Sequence, residues 1–373
     1  MITLKFGKSV ISDDTPCYMI AEIGHNHQGN IETAMKMIKT AAECGVNAVK
    51  FQKRDNKNLY TSELYNKPYE NENSFGTTYG EHREFLEFGY QEYVQLKRYA
   101  ESLDLEFMCT AFDFNSVDFL NDLGITSFKF ASGDLTNLPL LEYAAKFNKP
   151  IFLSTGASNI DEIRMAYNTV LKYHDKLCLL HCVCMYPADY ETLNLNFVKT
   201  LKDEFPEVVI GYSGHDNGIL AAVISYMLGA RVIEKHFTLN HASKGTDHKF
   251  SLEPIGLKKQ IRDLERVKVA LGDGAKKLNQ YEMDARKKMG KSIYAAKSLP
   301  AGHVLSDNDI VLKSPGDGLA PYYFNKIIGK KLKVSLDFED RILLDHIESE
   351  EPISIDSELN NGERKQRLVF SAE

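Results

Sequence analysis

The sequence predicts an α/β protein: a (β/α)8 TIM barrel followed by a small β-rich module. Three observations carry that expectation. Eight strand-like runs alternate with helix-length segments between Cys17 and about Gly274. Such alternation calls for a parallel sheet, and eight repeats in roughly 260 residues fit a closed barrel. No G-x-G-x-x-G follows the first run, which weakens the alternative of a doubly wound open sheet.

The strand runs are, in order, CYMIAEIG, NAVKFQK, EFMCTAF, SFKFAS, PIFLSTG, LCLLHCV, VVIGYSG and RVIEKHF. Helical periodicity marks ETAMKMIKTAAECG, EYVQLKRYAESL, LPLLEYAAKF and GLKKQIRDLERVKVALG, and glycine closes the first and the last. The connection from Arg54 to Gly89, rich in Tyr, Asn and Gly, is far longer than an ordinary βα loop. It reads as a lid over the barrel mouth or as an excursion that makes an oligomer contact. The barrel is expected over 1–275. Residues 276–291, polar and basic, read as a linker or connecting helix. From 292 to 348 come short β runs (SIYAAKSL, DIVLKS, KLKVSL, RILLDHI) broken by Pro and Gly. A module that small buries only about 60% of its unfolded surface and needs something to dock on. The charged tail, 349–373, reads as disordered.

Composition narrows the class. The 373 residues are 43% hydrophobic and 26% charged, ordinary for a globular protein. A net charge of −7 argues against a general nucleic-acid binder. No apolar run is long enough to span a membrane and no signal-peptide core opens the chain, so a cytoplasmic protein is the default expectation. The six cysteines (Cys17, Cys44, Cys109, Cys178, Cys182, Cys184) form no C-x-x-C pair and read as buried, reduced thiols.

In such a barrel, chemistry sits at the C-terminal strand ends. Glu22 ends the first run, Lys50 and Gln52 the second, Thr110 the third, and Lys129 and Ser132 the fourth, with Asp134 just beyond. Ser154 and Thr155 end the fifth, His181 and Tyr186 border the sixth, Ser213 and His215 end the seventh, and Glu234 and His236 lie in the eighth. Lys129 stands between Phe128 and Phe130, so alternation turns the rings to the helix layer and the lysine inward. A buried amine is costly unless something anionic pairs with it. Lys50, between Val49 and Phe51, repeats the arrangement. With Thr110, Ser132, Ser154 and Ser213 they make a cradle for phosphate and carboxylate; the other reading is a structural network with Glu22 and Glu234.

His215 and His236 close two successive runs. If those strands are adjacent and parallel, about 4.8 Å apart, two imidazoles could share one ion at about 2.1 Å each. The bland alternative is two unrelated histidines. Two imidazoles leave positions for water and substrate oxygens, which suits a loosely held divalent ion acting as a Lewis acid, Mn2+ first, with Mg2+ or Co2+ as alternatives.

Together AEIGHNHQGN, VKFQK, SGDLTNLP, LSTGAS, GYSGH, IEKHFT and KGTDHKFSLEP closely resemble the sialic acid (N-acetylneuraminate) synthases. That family condenses phosphoenolpyruvate with N-acetylmannosamine or its 6-phosphate. The resemblance spans nearly the whole chain, and the C-terminal module looks like the family's antifreeze-like (SAF) domain. It implies metal ligands at His215 and His236 and phosphoenolpyruvate contacts at Lys50, Thr110, Lys129, Ser132, Ser154 and Ser213. It puts Glu22, Gln52, Tyr186 and Asp247 around the sugar and the reacting centre. Glu22, Asp134 or Glu234 would handle protons, unranked. It also implies a domain-swapped homodimer, with the C-terminal module over a barrel mouth. Three positions depart from many bacterial members: Asp134 stands for Glu, Cys184 for Asn or Ser, and Ser314 for an Arg that reaches the N-acyl group. YGEHREFLEF looks more like the animal-type branch, and the Pro-Gly-Asp-Gly turn more like bacterial members. On that turn the free sugar is the expected acceptor. The alternatives are the 6-phosphate, with Lys53, Arg54, Lys244 and His248 as its cation cluster, and a related nonulosonate precursor. Against a phosphate role, Lys53 and Arg54 also read as a solvated charge pair. More remote are a Schiff-base aldolase using Lys129 and an inactive carbohydrate-binding barrel.

Overall fold

All eight runs form strands, and the strands close into a barrel. A computed structural model describes residues 2–350 and 353. The chain divides into two units, between Asp273 and Gly274. The tail expected to be disordered lies outside the described residues apart from 349, 350 and 353.

Ahead of the barrel stands a hairpin that the sequence reading left out, β1 (Thr3–Phe6) and β2 (Ser9–Ser12). Gly7 takes φ +50° in its two-residue turn, where glycine is the residue without strain. The barrel strands are β3 (Tyr18–Glu22), β4 (Ala48–Lys53), β5 (Glu106–Ala111), β6 (Phe128–Phe130), β7 (Ile151–Ser154), β8 (Leu177–Cys182), β9 (Val209–Gly214) and β10 (Val232–His236). They are parallel and neighbour one another in chain order, with β10 returning to β3.

The strands alternate in and out, and the interior changes character along its length. Near the N-terminal ends the inward residues are apolar: Ile20, Ala48, Met108, Phe152, Leu180 and Val232 pack with Leu4, Phe6 and Ile11 of the hairpin. The hairpin therefore plugs the barrel floor, with the Phe6 ring 5.2 Å from that of Phe152. Two residues further along five of these six strands the inward side chain is polar, Glu22, Lys50, Thr110, Ser154 and Glu234, all buried; on β8 it is Cys182. The outward residues Val49, Phe51, Phe128 and Phe130 join the larger core under the helices. Helices Ile31–Cys44, Tyr90–Ser102, Leu138–Ala145 and Pro254–Leu271 match the periodic segments. Asn30 caps the first by accepting from the Thr33 amide, and Gly45 at φ +91° ends it.

The long connection after β4 is folded. It holds three short helices, Asn56–Leu59, Ser62–Tyr65 and Tyr79–Phe85, begun by Asp55, Thr61 and a Thr78–Glu81 capping box. Tyr69, Phe75, Tyr79, His82 and Phe85 pack against one another within it.

In the second unit, β11 (Ser292–Ala295) pairs antiparallel with β12 (Ile310–Lys313). The runs KLKVSL and RILLDHI, read as strands, are not: they make isolated bridges at Lys331, Leu332, Leu336, Arg341 and Ile347. Their apolar residues serve the core instead, Leu332, Leu336, Ile342 and Ile347 packing with Ile293, Leu299 and Ile327. The backbone of KLKVSL changes partner from bridge to bridge, pairing with Val304, Ile347 and Leu299 in turn, so no continuous ladder forms. Ser314 accepts from Lys291 Nζ at 2.5 Å. All six cysteines are free, yet Cys184 is exposed, contrary to the expectation of buried thiols. It lies two residues past the end of β8, outside the strand whose residues are buried throughout.

Candidate active site

The polar strand ends converge on a cavity of about 630 Å³ at the C-terminal mouth. Glu22, Lys50, Gln52, Thr110, Lys129, Ser132, Ser154, Tyr186, Ser213, His215, Glu234, His236 and Asp247 all line it. Asp134 is not among the lining residues. It sits in the turn Ser132–Asp134 with Asn137 Nδ2 3.4 Å from its Oδ1, and burial raises its carboxyl to about 6. His181 and Thr155 also face away, hydrogen-bonded to the carbonyls of Leu193 and Leu180.

Lys50 Nζ lies 2.9 Å from Glu22 Oε2 and 3.4 Å from Glu234 Oε1, and donates to Thr110 Oγ1 at 2.8 Å. Lys129 Nζ donates to Ser154 Oγ at 2.7 Å and lies 3.8 Å from Glu234 Oε1. The cradle and the ion network are thus the same atoms. Their protons are unevenly held. Burial opposes ionisation of Glu234, but Lys129 and Lys50 outweigh it and hold that carboxyl down at about 2. Burial, opposed by Lys50 and reinforced by the charge of Glu234, raises Glu22. Gln52 Nε2 donates to Glu22 Oε1 at 2.6 Å. Burial lowers Lys129, and the Lys50 charge adds to that shift. Two cations facing one firmly ionised carboxylate and one proton-prone carboxyl leave the inner cavity able to take an anion.

The two imidazoles are neighbours, their ring centroids 5.4 Å apart. His215 Nδ1 lies 2.9 Å from the Val183 carbonyl. A carbonyl only accepts, so Nδ1 carries the proton and Nε2 keeps its lone pair. His236 Nδ1 is buried without a hydrogen-bond partner, 3.7 Å from Asp247 Oδ2. Burial lowers both rings to about 4, so both are neutral at pH 7, the state a metal requires. No group of three or more His, Cys, Asp or Glu arranged to hold an ion occurs among the described residues. The donor set fits an ion held by two nitrogens, with water and substrate oxygens completing it.

A second cationic cluster lies on the wall of the same cavity. Arg54 is buried over the Phe112 ring at 3.6 Å and donates to Gln52 Oε1 at 2.7 Å. Arg83, from the long connection, donates to Tyr79 OH at 2.9 Å. Both reach one imidazole: Arg54 Nη1 is 3.1 Å from His25 Nε2, and Arg83 Nη1 is 3.2 Å from His25 Nδ1. A neutral imidazole offers a single acceptor nitrogen, so one guanidinium faces an N–H. Neither guanidinium has a carboxylate within 4 Å among the described residues; only the Arg54 backbone amide reaches one, Glu87 Oε1 at 3.4 Å. Arg83, His25, Asn73 and Lys249, which also line the cavity, escaped the sequence reading. The chain distance between β4 and the helix carrying Arg83 hides the pairing, and only the Y-G-E-H-R motif hinted at it.

The other members of the expected phosphate cluster fall elsewhere. Lys53, expected in a loop, is the last residue of β4 and pairs with Glu87 at 2.7 Å. Lys244 lies over the Phe75 ring at 4.8 Å, and His248 is buried against Thr238. The reading of Lys53 and Arg54 as a solvated pair fails because neither is exposed. Lys53, the last strand residue, lies over the Phe119 ring at 4.9 Å, while Arg54, one residue past the strand, lines the cavity.

Buried neutral histidines around this wall carry a pH consequence. His27 stacks on Phe88 at 4.3 Å and burial lowers it to about 3; burial and then Arg83 lower His82 to about 4. The unfolded chain binds protons at these rings near pH 6.5 and the folded chain does not. Stability from them is therefore complete above pH 6.5 and declines as pH falls from 6.5 towards 3–4. Melting temperatures should drop between pH 7.5 and 5, and His27→Gln should flatten that slope. An equally steep slope in the variant would contradict the assignment.

Over residues 37–276 the chain matches the NeuB family, and over 290–347 the SAF domain. It is 38% identical to N-acetylneuraminate-9-phosphate synthase of Mus musculus, across 90% of this chain and 93% of that one. Against the N,N'-diacetyllegionaminic acid synthase of Legionella pneumophila it is 37% identical, across 89% and 95%. Among solved structures, the N-acetylneuraminic acid synthetase of Leptospira borgpetersenii, crystallised with citrate, superposes with a TM-score of 0.66 at 31% identity. That match covers 76% of this chain and 96% of the other.

Proposed function

Because the chain belongs to the NeuB family, transferases that form a carbon–carbon bond from phosphoenolpyruvate, we propose that it condenses phosphoenolpyruvate with an N-acetylmannosamine-type sugar and releases phosphate. The observation that carries this reading is the meeting, in one cavity, of Lys50 and Lys129 with two neutral imidazoles from adjoining strands. His215 and His236 would hold a divalent ion, Mn2+ first, which when bound supplies Lewis-acid polarisation of the open-chain sugar's aldehyde. The homodimer implied by the resemblance and the cytoplasmic location expected by default belong to the same proposal. No helix among the described residues is long and apolar enough to cross a membrane.

Lys129, with Ser154 beside it, and Lys50, with Thr110, bind the phosphate and carboxylate of phosphoenolpyruvate. They hold its C3 towards the aldehyde carbon. As the carbon–carbon bond forms, the aldehyde oxygen gains a proton. Water then adds at C2 and loses one proton, and the resulting hydroxyl passes its remaining proton to the departing phosphate as the C2 carbonyl forms and the C2–O bond to phosphate breaks. Glu22 suits the proton-carrying steps because its carboxyl is raised and Gln52 fixes its orientation. Glu234, held ionised, orients the two lysines. Asp134, off the cavity wall, is the weakest of the three candidates.

The acceptor we propose is the 6-phosphorylated sugar, although the Pro-Gly-Asp-Gly turn on its own favoured the free one. Two guanidiniums without carboxylate partners among the described residues, sharing one imidazole on the wall beyond Gln52, suit a phosphomonoester of nearly two negative charges. Each sugar, incubated with phosphoenolpyruvate, should be compared by phosphate release, with products weighed by mass spectrometry. A kcat/KM ratio above tenfold for the 6-phosphate, about 1.4 kcal/mol in transition-state binding, is expected, and Arg54→Ala or Arg83→Ala should narrow it. Equal constants, or a preference for the free sugar or a deoxy nonulosonate precursor, would return the assignment to those alternatives.

A further inference from the structure

We infer that Lys235, on the outer face of β10, is a positioning residue for the two imidazoles and acts through Asp216; the inference rests on reading His215 and His236 as metal ligands. The β9–β10 ladder runs from Gly211 opposite Val232 to Gly214 opposite Lys235 and stops there. His215 lies one residue past its end. His236 is registered against Glu22 of β3, not against β9. The last ladder pair thus stands one residue before both rings, and no β9–β10 pair forms at their own level.

What crosses the gap at that level is a bridge between the residues flanking them. Lys235 Nζ donates to the Asp216 carbonyl and lies 2.9 Å from Asp216 Oδ1, and both side chains are 1% exposed. Tyr212 OH donates to the same carboxylate oxygen at 2.8 Å, and the Ala188 amide donates to the His215 carbonyl at 3.0 Å. An ammonium and a carboxylate removed from water are stable only in close pairing, so neither can drift without exposing the other as an uncompensated charge. The turn carrying His215 is thereby tied to the strand carrying His236. Lys235 faces the helix layer and does not line the cavity. A merely structural pair would influence melting but not ion affinity.

The test is Mn2+ titration, followed by electron paramagnetic resonance, of chelator-stripped full-length protein and its variants, with phosphoenolpyruvate affinity and melting temperature measured alongside. Asp216→Asn keeps the side-chain volume. The double variant Lys235→Met, Asp216→Leu removes both charges together, which is far milder than stranding one. Mn2+ affinity should weaken on the order of 10–100-fold in both, the usual effect of losing a group that orients a ligand, while phosphoenolpyruvate affinity holds. Folded variants that bind Mn2+ like the wild type would overturn the inference. A wild-type chain that binds no Mn2+ would instead overturn the metal reading beneath it.

Discussion

Removal of divalent ions should abolish turnover, and Mn2+ should restore it. The expectation comes from two neutral imidazoles, one with its proton committed to the Val183 carbonyl and the other with an orphaned buried nitrogen. A Lewis acid on the aldehyde contributes several kcal/mol of transition-state stabilisation, so its loss should lower kcat on the order of a thousandfold or more. His215→Ala and His236→Ala should show the same loss without rescue by added Mn2+. Binding of phosphoenolpyruvate, held by other side chains, should survive in both. Full activity in thoroughly metal-free protein would remove the ion from the mechanism.

The second large effect is expected at Lys129. Its ammonium is buried, hydrogen-bonded to Ser154 and within reach of Glu234. Truncating one partner of such a contact costs roughly 2–5 kcal/mol, so Lys129→Ala should weaken phosphoenolpyruvate binding from about 30-fold upwards. Glu234 loses a compensating charge at the same time, so the variant should also melt lower. Calorimetric titration separates the two effects. Unchanged phosphoenolpyruvate affinity in a folded variant would show that the cradle is misassigned and that Lys129 serves only the ion network.

The inward-facing chemistry was legible because strand alternation is a local rule. Phe-Lys-Phe at 128–130 and Val-Lys-Phe at 49–51 each declare which side chain turns inward, whatever the neighbours are. The alternation of eight strands with helices specified the barrel in the same way. His215 and His236 were legible as strand-end residues, and adjacency in chain order made them neighbours. Where reading failed, the deciding partner lay far along the chain. KLKVSL has strand composition, but its bridges go to three remote partners, Val304, Ile347 and Leu299, rather than to one strand.

By itself, then, the sequence determined the closed α/β barrel, the C-terminal module and the polar mouth with its two lysines and two histidines. The barrel and its mouth follow from periods of two and 3.6 and from strand order, and the module from its change of composition, none of which needs knowledge of distant contacts. Tertiary structure alone decided four others: the hairpin plugging the barrel floor, the delivery of Arg83 to the cavity wall, the diversion of Lys53 to Glu87, and the bridge from Lys235 to Asp216. Each depends on which remote segment packs against a given face. A local pattern announces that a side chain is buried, but only the folded chain supplies the group that makes its burial affordable and gives it a task.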